Sequence, residues 1–244
     1  MIKLKKYSLI TVLFSLMFSC NQKEKSNSED LMIVKGSIKG LRKGKLYLQR
    51  IKDTMLINLD STYVDGTPDF RFQTPINTAE VFYLYLNKDD GDSLNDRILF
   101  FGEKGTIEIN TLLKTFESSA KISGSKNQEL LQKYKSMSRK FNNRNLDLIR
   151  DLYLAKAEKK IERVDTLEKK IANLLKRRYL YTINFAAQNP DQNIAPYLVL
   201  TQVFDANLTL LDSIASKLTD EVRSSKYGIE FLNLLEKRRE KERN

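Results

Sequence analysis

The pattern of apolar residues changes once along this chain, near residue 125, and that change constrains the fold. Residues 31–124 contain short runs of β-branched and aromatic residues separated by turn-forming residues, whereas residues 125–244 contain long stretches rich in leucine, lysine and glutamate. The first pattern is typical of strands and the second of amphipathic helices. We therefore predict an α+β protein, with a β-sandwich domain over residues 31–124 and an α-helical domain over residues 125–244.

Alternation of apolar and polar residues predicts eight strands in the first segment. Phe70 and Phe72, for example, have polar neighbours on both sides, as expected of a strand with one buried face. Glycine-containing segments at 40–44, 65–66, 89–92 and 102–105 predict turns. Because the strands are short and closely spaced, we expect an antiparallel β-sandwich. The predicted strands cover residues 31–38, 45–50, 54–60, 69–74, 80–87, 97–101, 106–110 and 121–123.

The second segment predicts a helical region dominated by one long amphipathic helix. A helix begins near Lys126 and is expected to break at residues 142–145, which are Asn-Asn-Arg-Asn. From Leu146 a single helix is predicted to run to Asn189, because the following proline disfavours helical geometry in the residue before it. Its apolar face comprises Leu152, Val164, Leu167, Ile171, Leu174, Tyr181 and Phe185. Three shorter helices, over 197–204, 208–218 and 220–242, are expected to pack back on it.

The amino terminus has the pattern of a lipoprotein signal peptide over residues 1–19. Lysines at positions 3, 5 and 6 precede an apolar run over 9–18, which is too short to span a bilayer comfortably but fits the hydrophobic region of a signal peptide. The segment from Met17 to Cys20 resembles the bacterial lipobox. This resemblance implies cleavage before Cys20 and attachment of a lipid anchor, with acyl chains such as palmitate, to that residue.

Cys20 is the single cysteine of the chain, so no intramolecular disulfide can form. Residues 21–30 contain no apolar side chain and predict, together with the lipidated Cys20, a flexible tether that reaches about 30 Å when extended. We expect a protein of the bacterial cell envelope that is held by membrane lipid through Cys20. Asn21 is not the aspartate that retains some lipoproteins in the inner membrane, which favours the outer membrane.

The net positive charge of the mature chain, after the signal peptide, is confined to the helical segment. Residues 125–244 contain 24 basic and 16 acidic residues, whereas residues 20–124 are balanced. Export removes nucleic acid as a partner, so no nucleic-acid binding is predicted. The basic groups at 159–160, 169–170, 176–178 and 237–239 alternate with glutamates at 158, 162, 168, 236 and 240, which predicts a solvated helix surface. Contact with anionic lipid headgroups or lipopolysaccharide is the alternative.

The sequence contains no recognisable catalytic arrangement, and we predict no catalytic residues, no cofactor and no metal. It has no histidine, which excludes Ser-His-Asp triads and HExxH zinc sites, and it has no phosphate-binding glycine loop. Asp89, Asp90, Asp92 and Asp96 suggest a calcium loop, but their spacing does not fit an EF-hand, so an acidic hairpin loop is favoured. The predicted strand residues Tyr83, Tyr85, Phe100 and Phe101 are interpreted as packing residues, and a ligand platform is the alternative.

The order of several short motifs resembles domain of unknown function 4369, which occurs at the front of thioredoxin-like lipoproteins of the Bacteroidetes. In the sandwich segment the motifs lie at 34–38, 44–49, 60–61, 69–72, 82–84, 100–101 and 122–125. In the helical segment, residues 189–190, 195–198 and 225–228 resemble the region that joins that domain to the thioredoxin-like domain. The resemblance covers residues 31–235.

The relatives carry a Cys-x-x-Cys motif after the segment that corresponds to Tyr227-Gly228, and this sequence lacks one. Thiol exchange requires two such thiols, so no redox activity is expected here. Two hypotheses follow. The chain is a non-catalytic binding or scaffold module, in which the sandwich or the groove between sandwich and helices engages an envelope protein, peptide or glycan. Alternatively, it is an accessory to a separate thioredoxin-like lipoprotein in envelope thiol–disulfide exchange.

Overall fold

The computed structural model describes residues 30–87 and 97–243. The eight predicted strands are all present within these residues, most of them a few residues longer than predicted. They are β1 (Leu31–Lys39), β2 (Lys43–Lys52), β3 (Met55–Asp65), β4 (Asp69–Pro75), β5 (Glu80–Asn87), β6 (Arg97–Gly102), β7 (Gly105–Leu112) and β8 (Lys121–Ser123).

The strands form two four-stranded sheets. The first sheet has the order β4-β1-β7-β8 and the second has the order β3-β2-β5-β6. All pairs are antiparallel, as predicted, except β1 and β7, which are parallel. Because β5 and β6 of the second sheet precede β7 in the chain, no hairpin sets the direction of β7 against β1. A Cβ on Gly36 would lie 1.8 Å from the Ile109 carbonyl oxygen, so this pair requires glycine there.

The inner faces of the two sheets form the core of the sandwich. Met32 and Val34 of β1 and Phe72 of β4 meet Phe82 of β5 and Phe100 of β6, and each of these side chains is at most 1% exposed. The Phe82 and Phe100 rings stack with centroids 5.9 Å apart. Burial of each such side chain contributes about 1.5–3 kcal/mol.

Six helices follow the sandwich. They are α1 (Lys126–Ala157), α2 (Ile161–Ala187), α3 (Ile194–Gln202), α4 (Leu208–Ala215), α5 (Asp220–Arg223) and α6 (Lys226–Arg243). An α+β fold is therefore confirmed, with a sandwich followed by helices. The predicted helix over 220–242 is divided at Ser225, whose hydroxyl donates to the Val222 carbonyl and accepts from the Gly228 amide.

The prediction of one long helix from Leu146 to Asn189 is wrong, because the chain reverses direction at residues 158–160. After α1 ends, Lys159 adopts the left-handed conformation, with a φ of 55°. The Lys160 amide donates to the Ala155 carbonyl, and the Lys159 amide donates to the Lys156 carbonyl. This is a Schellman cap, in which the left-handed position usually carries glycine. The chain therefore forms an antiparallel hairpin of α1 and α2. The sequence pattern does not predict this hairpin, because the turn carries lysine where glycine would indicate a helix end.

The predicted break at residues 142–145 is also absent, because α1 runs through it. Asparagine disfavours a helix interior by less than about 1 kcal/mol, which packing against a neighbouring helix readily offsets. The Phe141 ring lies 5.9 Å from that of Tyr181 on α2, and Arg178 donates to the Asn142 side chain at 3.3 Å.

The helices pack on the outer face of the second sheet. Val81 of β5 and Phe101 of β6 are buried there by Leu131 and Tyr134 of α1 and by Leu198 of α3. Two buried polar side chains of α1 also fix this packing: Gln128 accepts from the Phe101 amide of β6 at 2.8 Å, and Asn127 accepts from the Ile194 amide of α3 at 2.9 Å. These contacts set where the helices lie on the sheet, and they leave a cleft at one end of it.

Candidate functional site

A cleft of about 640 Å³ lies between the end of the second sheet and helices α3 and α6. The strand end and the turn after β2 form one wall, and the two helices form the other. Its lining consists of Arg50, Ile51, Lys52, Asp53, Thr54, Glu80, Val81, Tyr83, Tyr197, Leu200, Thr201, Lys226, Tyr227 and Glu230. A concave site with mixed apolar and polar lining is where small-molecule and peptide ligands usually bind.

Glu80 is the buried charge of the cleft. Its carboxylate accepts from the Lys226 ammonium at 2.5 Å and from the Arg50 guanidinium at 3.3 Å. The Glu80 side chain is 8% exposed, against 33% for Lys226 and 35% for Arg50. The Lys226 ammonium also donates to the Ile51 carbonyl at 3.1 Å. This ion cluster ties the first residue of β5 to the first residue of α6 and holds the cleft wall in place.

Arg50 has one donor that is not used within the described residues. Its Nε is buried and has no acceptor among the described residues. Leaving a buried donor without an acceptor costs about 1–3 kcal/mol, which a ligand oxygen entering the cleft would offset. Arg50 is therefore the lining residue best suited to an acceptor group on a ligand.

Three tyrosines form the aromatic part of the lining. The Tyr197 and Tyr227 rings lie 5.2 Å apart, and Tyr227 accepts a hydrogen bond from the Val81 amide at 3.0 Å. Burial raises the pKa of Tyr197 to about 12, and it also raises the pKa of Tyr227. Burial raises the pKa of Tyr83 as well, and the Arg97 charge partly opposes that shift. The three phenols therefore remain protonated at neutral pH and present aromatic faces and hydroxyl groups, not charge.

The turn between β2 and β3 lies at the cleft and is strained. Asp53 and Thr54 both have positive φ, at 48° and 78°. Tight hairpin turns of this kind favour Asn-Gly, because a β-branched residue such as threonine rarely adopts positive φ. Strained backbone of this type occurs more often at functional sites than elsewhere.

The charges of the lining balance. Arg50, Lys52 and Lys226 are opposed by the same number of carboxylates, from Asp53, Glu80 and Glu230. The cleft thus carries no net charge, although residues 125–244 as a whole are basic. Aromatic faces with balanced polar groups suit a neutral or zwitterionic ligand, such as a peptide segment or a sugar, better than a polyanion.

Several residues that the sequence singles out lie outside the described part of the chain. Cys20 and the acidic positions Asp89, Asp90, Asp92 and Asp96 are among them, so their predicted roles stay predictions. Of the four aromatic residues interpreted as packing, Phe100 and Phe101 are buried, which confirms that interpretation for them. The half-buried Tyr83 instead lines the cleft, and Tyr85 stacks on Tyr47 with centroids 5.7 Å apart.

Sequence reasoning missed the ion cluster, because Glu80 and Lys226 are far apart in the chain and neither belongs to a recognisable catalytic pattern. Two partial signals existed. Tyr197 lies in the 195–198 motif and Tyr227 in the 225–228 motif, both of which carry the family resemblance. The structure explains the second motif further, because a Cβ on Gly228 would lie 1.9 Å from the Val222 carbonyl oxygen.

The predicted basic helix surfaces are largely solvent-exposed and form ion pairs on and between helices. Examples are Lys169 with Asp165, Lys160 with Glu158, and Arg239 with Asp212. No group of three or more carboxylate, histidine or cysteine side chains that could hold a metal ion occurs among residues 30–87 and 97–243. Within the same residues, every helix is too short or too polar to cross a membrane.

Comparison with known proteins identifies the sandwich. The family model described as Domain of unknown function (DUF4369) matches residues 32–131, which span the sandwich and the first residues of α1. No curated protein matches this sequence. A solved structure named pT26-6p aligns with 80% of this chain and 42% of its own at 13% identity, with a TM-score of 0.23, too low to indicate a shared fold. The chain thus spans less than half of that protein. The thioredoxin-like context stays a prediction.

Proposed function

We propose that this chain, whose residues 32–131 are a DUF4369 domain, is a lipid-anchored protein of the bacterial cell envelope and acts as a non-catalytic binding module. The ligand enters the cleft between the second sheet and helices α3 and α6. It is a peptide segment of an envelope protein or a glycan.

The observation that carries this proposal is the composition of the cleft. Its walls join the sandwich to helices more than 100 residues later in the chain, and they combine three protonated tyrosines, a charge-balanced rim and the unpaired Nε of Arg50. Such groups bind by stacking and hydrogen bonding.

The anchor is proposed from the amino-terminal sequence. Residues 1–19 form the signal peptide, Cys20 carries the acyl chains, and the polar residues 21–30 separate the lipid from the folded part. Several acyl chains would bind the membrane stably, because each buried methylene contributes about 0.8 kcal/mol.

Capture from cross-linked envelope preparations tests the cleft. Tagged full-length chains of the wild type, Thr201→Trp and Thr166→Trp are compared, and bound proteins, peptides and glycans are identified by mass spectrometry. Thr201 lines the cleft, and tryptophan there fills its mouth. Thr166 is the matched control, because both threonines are exposed helical residues whose hydroxyl donates to the carbonyl four residues earlier.

We expect the wild type and Thr166→Trp to capture the same ligand and Thr201→Trp to capture at least tenfold less. Capture of the same amount of ligand by Thr201→Trp and by the wild type would show that the cleft is not the binding site. The absence of any reproducible ligand on the wild type would remove the binding function itself.

The anchor has its own test. Palmitate labelling of the wild type and of Cys20→Ser, with and without globomycin, reports both acylation and signal-peptide processing. We expect Cys20→Ser to lose the label and to leave the membrane fraction. Retention of the label on Cys20→Ser would overturn the lipid anchor and leave the cleft proposal untouched.

A further inference from the structure

Helix α1 contains a segment whose charges all have one sign. Residues 130–146 carry five basic side chains and no acidic one. Like charges four residues apart on a helix, such as Lys135 and Arg139, repel each other and destabilise the helix. The surroundings of this segment therefore show whether the fold supplies a counter-charge. The five basic residues are Lys133, Lys135, Arg139, Lys140 and Arg144.

Two of these cations, Lys135 and Arg139, line a pocket of about 570 Å³ at one open side of the sandwich. Strand β6 is an edge of the second sheet, and β8 is an edge of the first. Helix α1 bridges the two edges, because Gln128 accepts from a β6 amide at 2.8 Å and Gln132 donates to a β8 carbonyl at 3.2 Å. The pocket lies between these three elements, so its walls are held by both sheets and by the helix.

The polar part of this pocket carries an excess of positive charge. Lys121 of β8 joins Lys135 and Arg139, and Glu117 is the one carboxylate among the described lining residues. Three positive charges against one negative charge leave two in excess. The charged ends of the three cations form no hydrogen bond or ion pair with any of residues 30–87 and 97–243. In this respect the pocket differs from the charge-balanced cleft.

Lys135 is the half-buried cation of the pocket. Burial lowers the pKa of its ammonium group, the Glu117 carboxylate partly opposes that shift, and the neighbouring Arg139 charge adds to it. Removing a charged group from water costs free energy unless an opposite charge or a hydrogen bond replaces the water. An anion in the pocket would supply that replacement.

We infer that this pocket binds the phosphate monoester group of an organic ligand. Such a group carries about −1.5 to −2 charges at pH 7 and has three strong acceptor oxygens. It therefore matches both the excess charge of the pocket and the number of its cations. A carboxylate has one charge and two oxygens, which would leave one cation unmatched. The planar guanidinium of Arg139 also suits bidentate binding of phosphate oxygens.

The remaining part of the lining is apolar and indicates that the phosphate is attached to a carbon skeleton. Ile98 and Leu99 of β6 and Ile122 of β8 form this part. The pocket volume lies within the roughly 300–1,000 Å³ of small-molecule sites. The organic part of the ligand packs against these three side chains, so inorganic phosphate should bind more weakly than a phosphate monoester.

Isothermal titration calorimetry of the detergent-extracted full-length chain tests the inference, with phenyl phosphate as the probe. Lys135→Gln with Arg139→Gln removes two charges of the pocket. Lys133→Gln with Lys140→Gln is the matched control, because these exposed lysines of the same helix do not line the pocket. We expect the wild type and the control to bind phenyl phosphate equally and the pocket variant to bind it at least tenfold more weakly.

Several results would overturn the inference. The absence of binding to the wild type would remove the site, and an equal loss of affinity in both double variants would show that only overall charge matters. Benzoate that binds as tightly as phenyl phosphate would exclude selection of phosphate. Inorganic phosphate that binds as tightly would exclude the role of the apolar lining.

A lipid headgroup and a soluble molecule are both sources of such a phosphate, and one further titration distinguishes them. The chain is reconstituted into phosphatidylcholine vesicles with or without phosphatidic acid, whose headgroup is a phosphate monoester. Weaker binding of phenyl phosphate in the presence of phosphatidic acid would support the site and assign its ligand to the membrane. Unchanged binding would support the site with a soluble ligand.

Glu117→Gln provides an independent measurement, because it removes the carboxylate that opposes an anion in the pocket. We expect this variant to bind phenyl phosphate more tightly than the wild type does. Unchanged or weaker binding would contradict the electrostatic basis of the site. None of these measurements involves the cleft, so their failure would leave the proposed function unaffected.

Discussion

The β-sandwich and the outer half of the α1–α2 hairpin bury their apolar residues to very different degrees. The sandwich core comprises eighteen buried residues from two facing sheets, whereas the hairpin core comprises three. Two sheets enclose apolar side chains between them, but two helices touch along one stripe only. The sandwich therefore encloses its apolar residues, whereas the hairpin leaves large apolar side chains such as Tyr153 and Ile161 exposed.

The largest effect is expected in the sandwich. Phe100→Ala removes a ring that is fully buried between the sheets, and we expect the free energy of unfolding to fall by about 3–5 kcal/mol. Urea denaturation followed by circular dichroism measures the change. Leu112→Ala is the control, since Leu112 lies at the end of β7 and is 46% exposed. A loss below 1 kcal/mol for Phe100→Ala would contradict the closed core.

A smaller and local effect is expected in the hairpin. Leu148→Ala removes one of the three buried residues there, with an expected loss of about 2–3 kcal/mol because the neighbouring side chains are only half-buried. Hydrogen exchange should accelerate in residues 145–175 and stay unchanged in the sandwich. Leu154→Ala, at an exposed residue of the same helix, is the control. Equal acceleration throughout the chain would show that the hairpin and the sandwich unfold as one unit.

Between these regions, the cleft should make stability sensitive to alkaline pH. The pKa of Tyr197 is about 12 in the folded protein because of burial, and an unfolded tyrosine has a pKa of about 10. The folded state therefore retains the phenolic proton to a higher pH than the unfolded state does. The resulting contribution to the free energy of unfolding is fully present below pH 10 and is lost as the pH rises from 10 through 12.

Tyr197→Phe should reduce the alkaline loss of unfolding free energy by roughly 2 kcal/mol between pH 10 and 12, because it removes the contribution of the Tyr197 phenol and leaves the other tyrosines in place. Denaturation at several pH values measures the slope. Tyr153→Phe changes an exposed ring of the hairpin and is the matched control. The same slope for Tyr197→Phe and the wild type would contradict burial of this ring at the cleft.

The smallest effect is expected at the hairpin turn. Lys159 occupies a left-handed position that glycine adopts without steric cost, so Lys159→Gly should raise the free energy of unfolding by about 0.5–1 kcal/mol. Differential scanning calorimetry measures it. Lys159→Ala, which retains a Cβ, should give no such gain. Destabilisation by glycine would mean that the turn has a different geometry.

The local elements were largely predictable, because local sequence determines them. Alternation identified all eight strands, including both limits of β5 and β8, since a period of two residues follows directly from strand geometry. The helix periodicity also identified the inward-facing residues of the hairpin, Leu152, Val164, Leu167, Ile171 and Leu174. It did not reveal that these residues belong to two helices, because Lys159 forms a turn without glycine or proline.

The sequence by itself determined an α+β chain with eight strands, a helical region, an amino terminus with the pattern of a lipoprotein, and the absence of histidine chemistry. Only the tertiary structure decided that β7 runs parallel to β1, that α1 and α2 form a hairpin, and that Glu80, Arg50 and Lys226 meet in a cleft. The reason is physical. Periodicity records which face of an element is buried, whereas pairing between residues 146 positions apart depends on how whole elements pack.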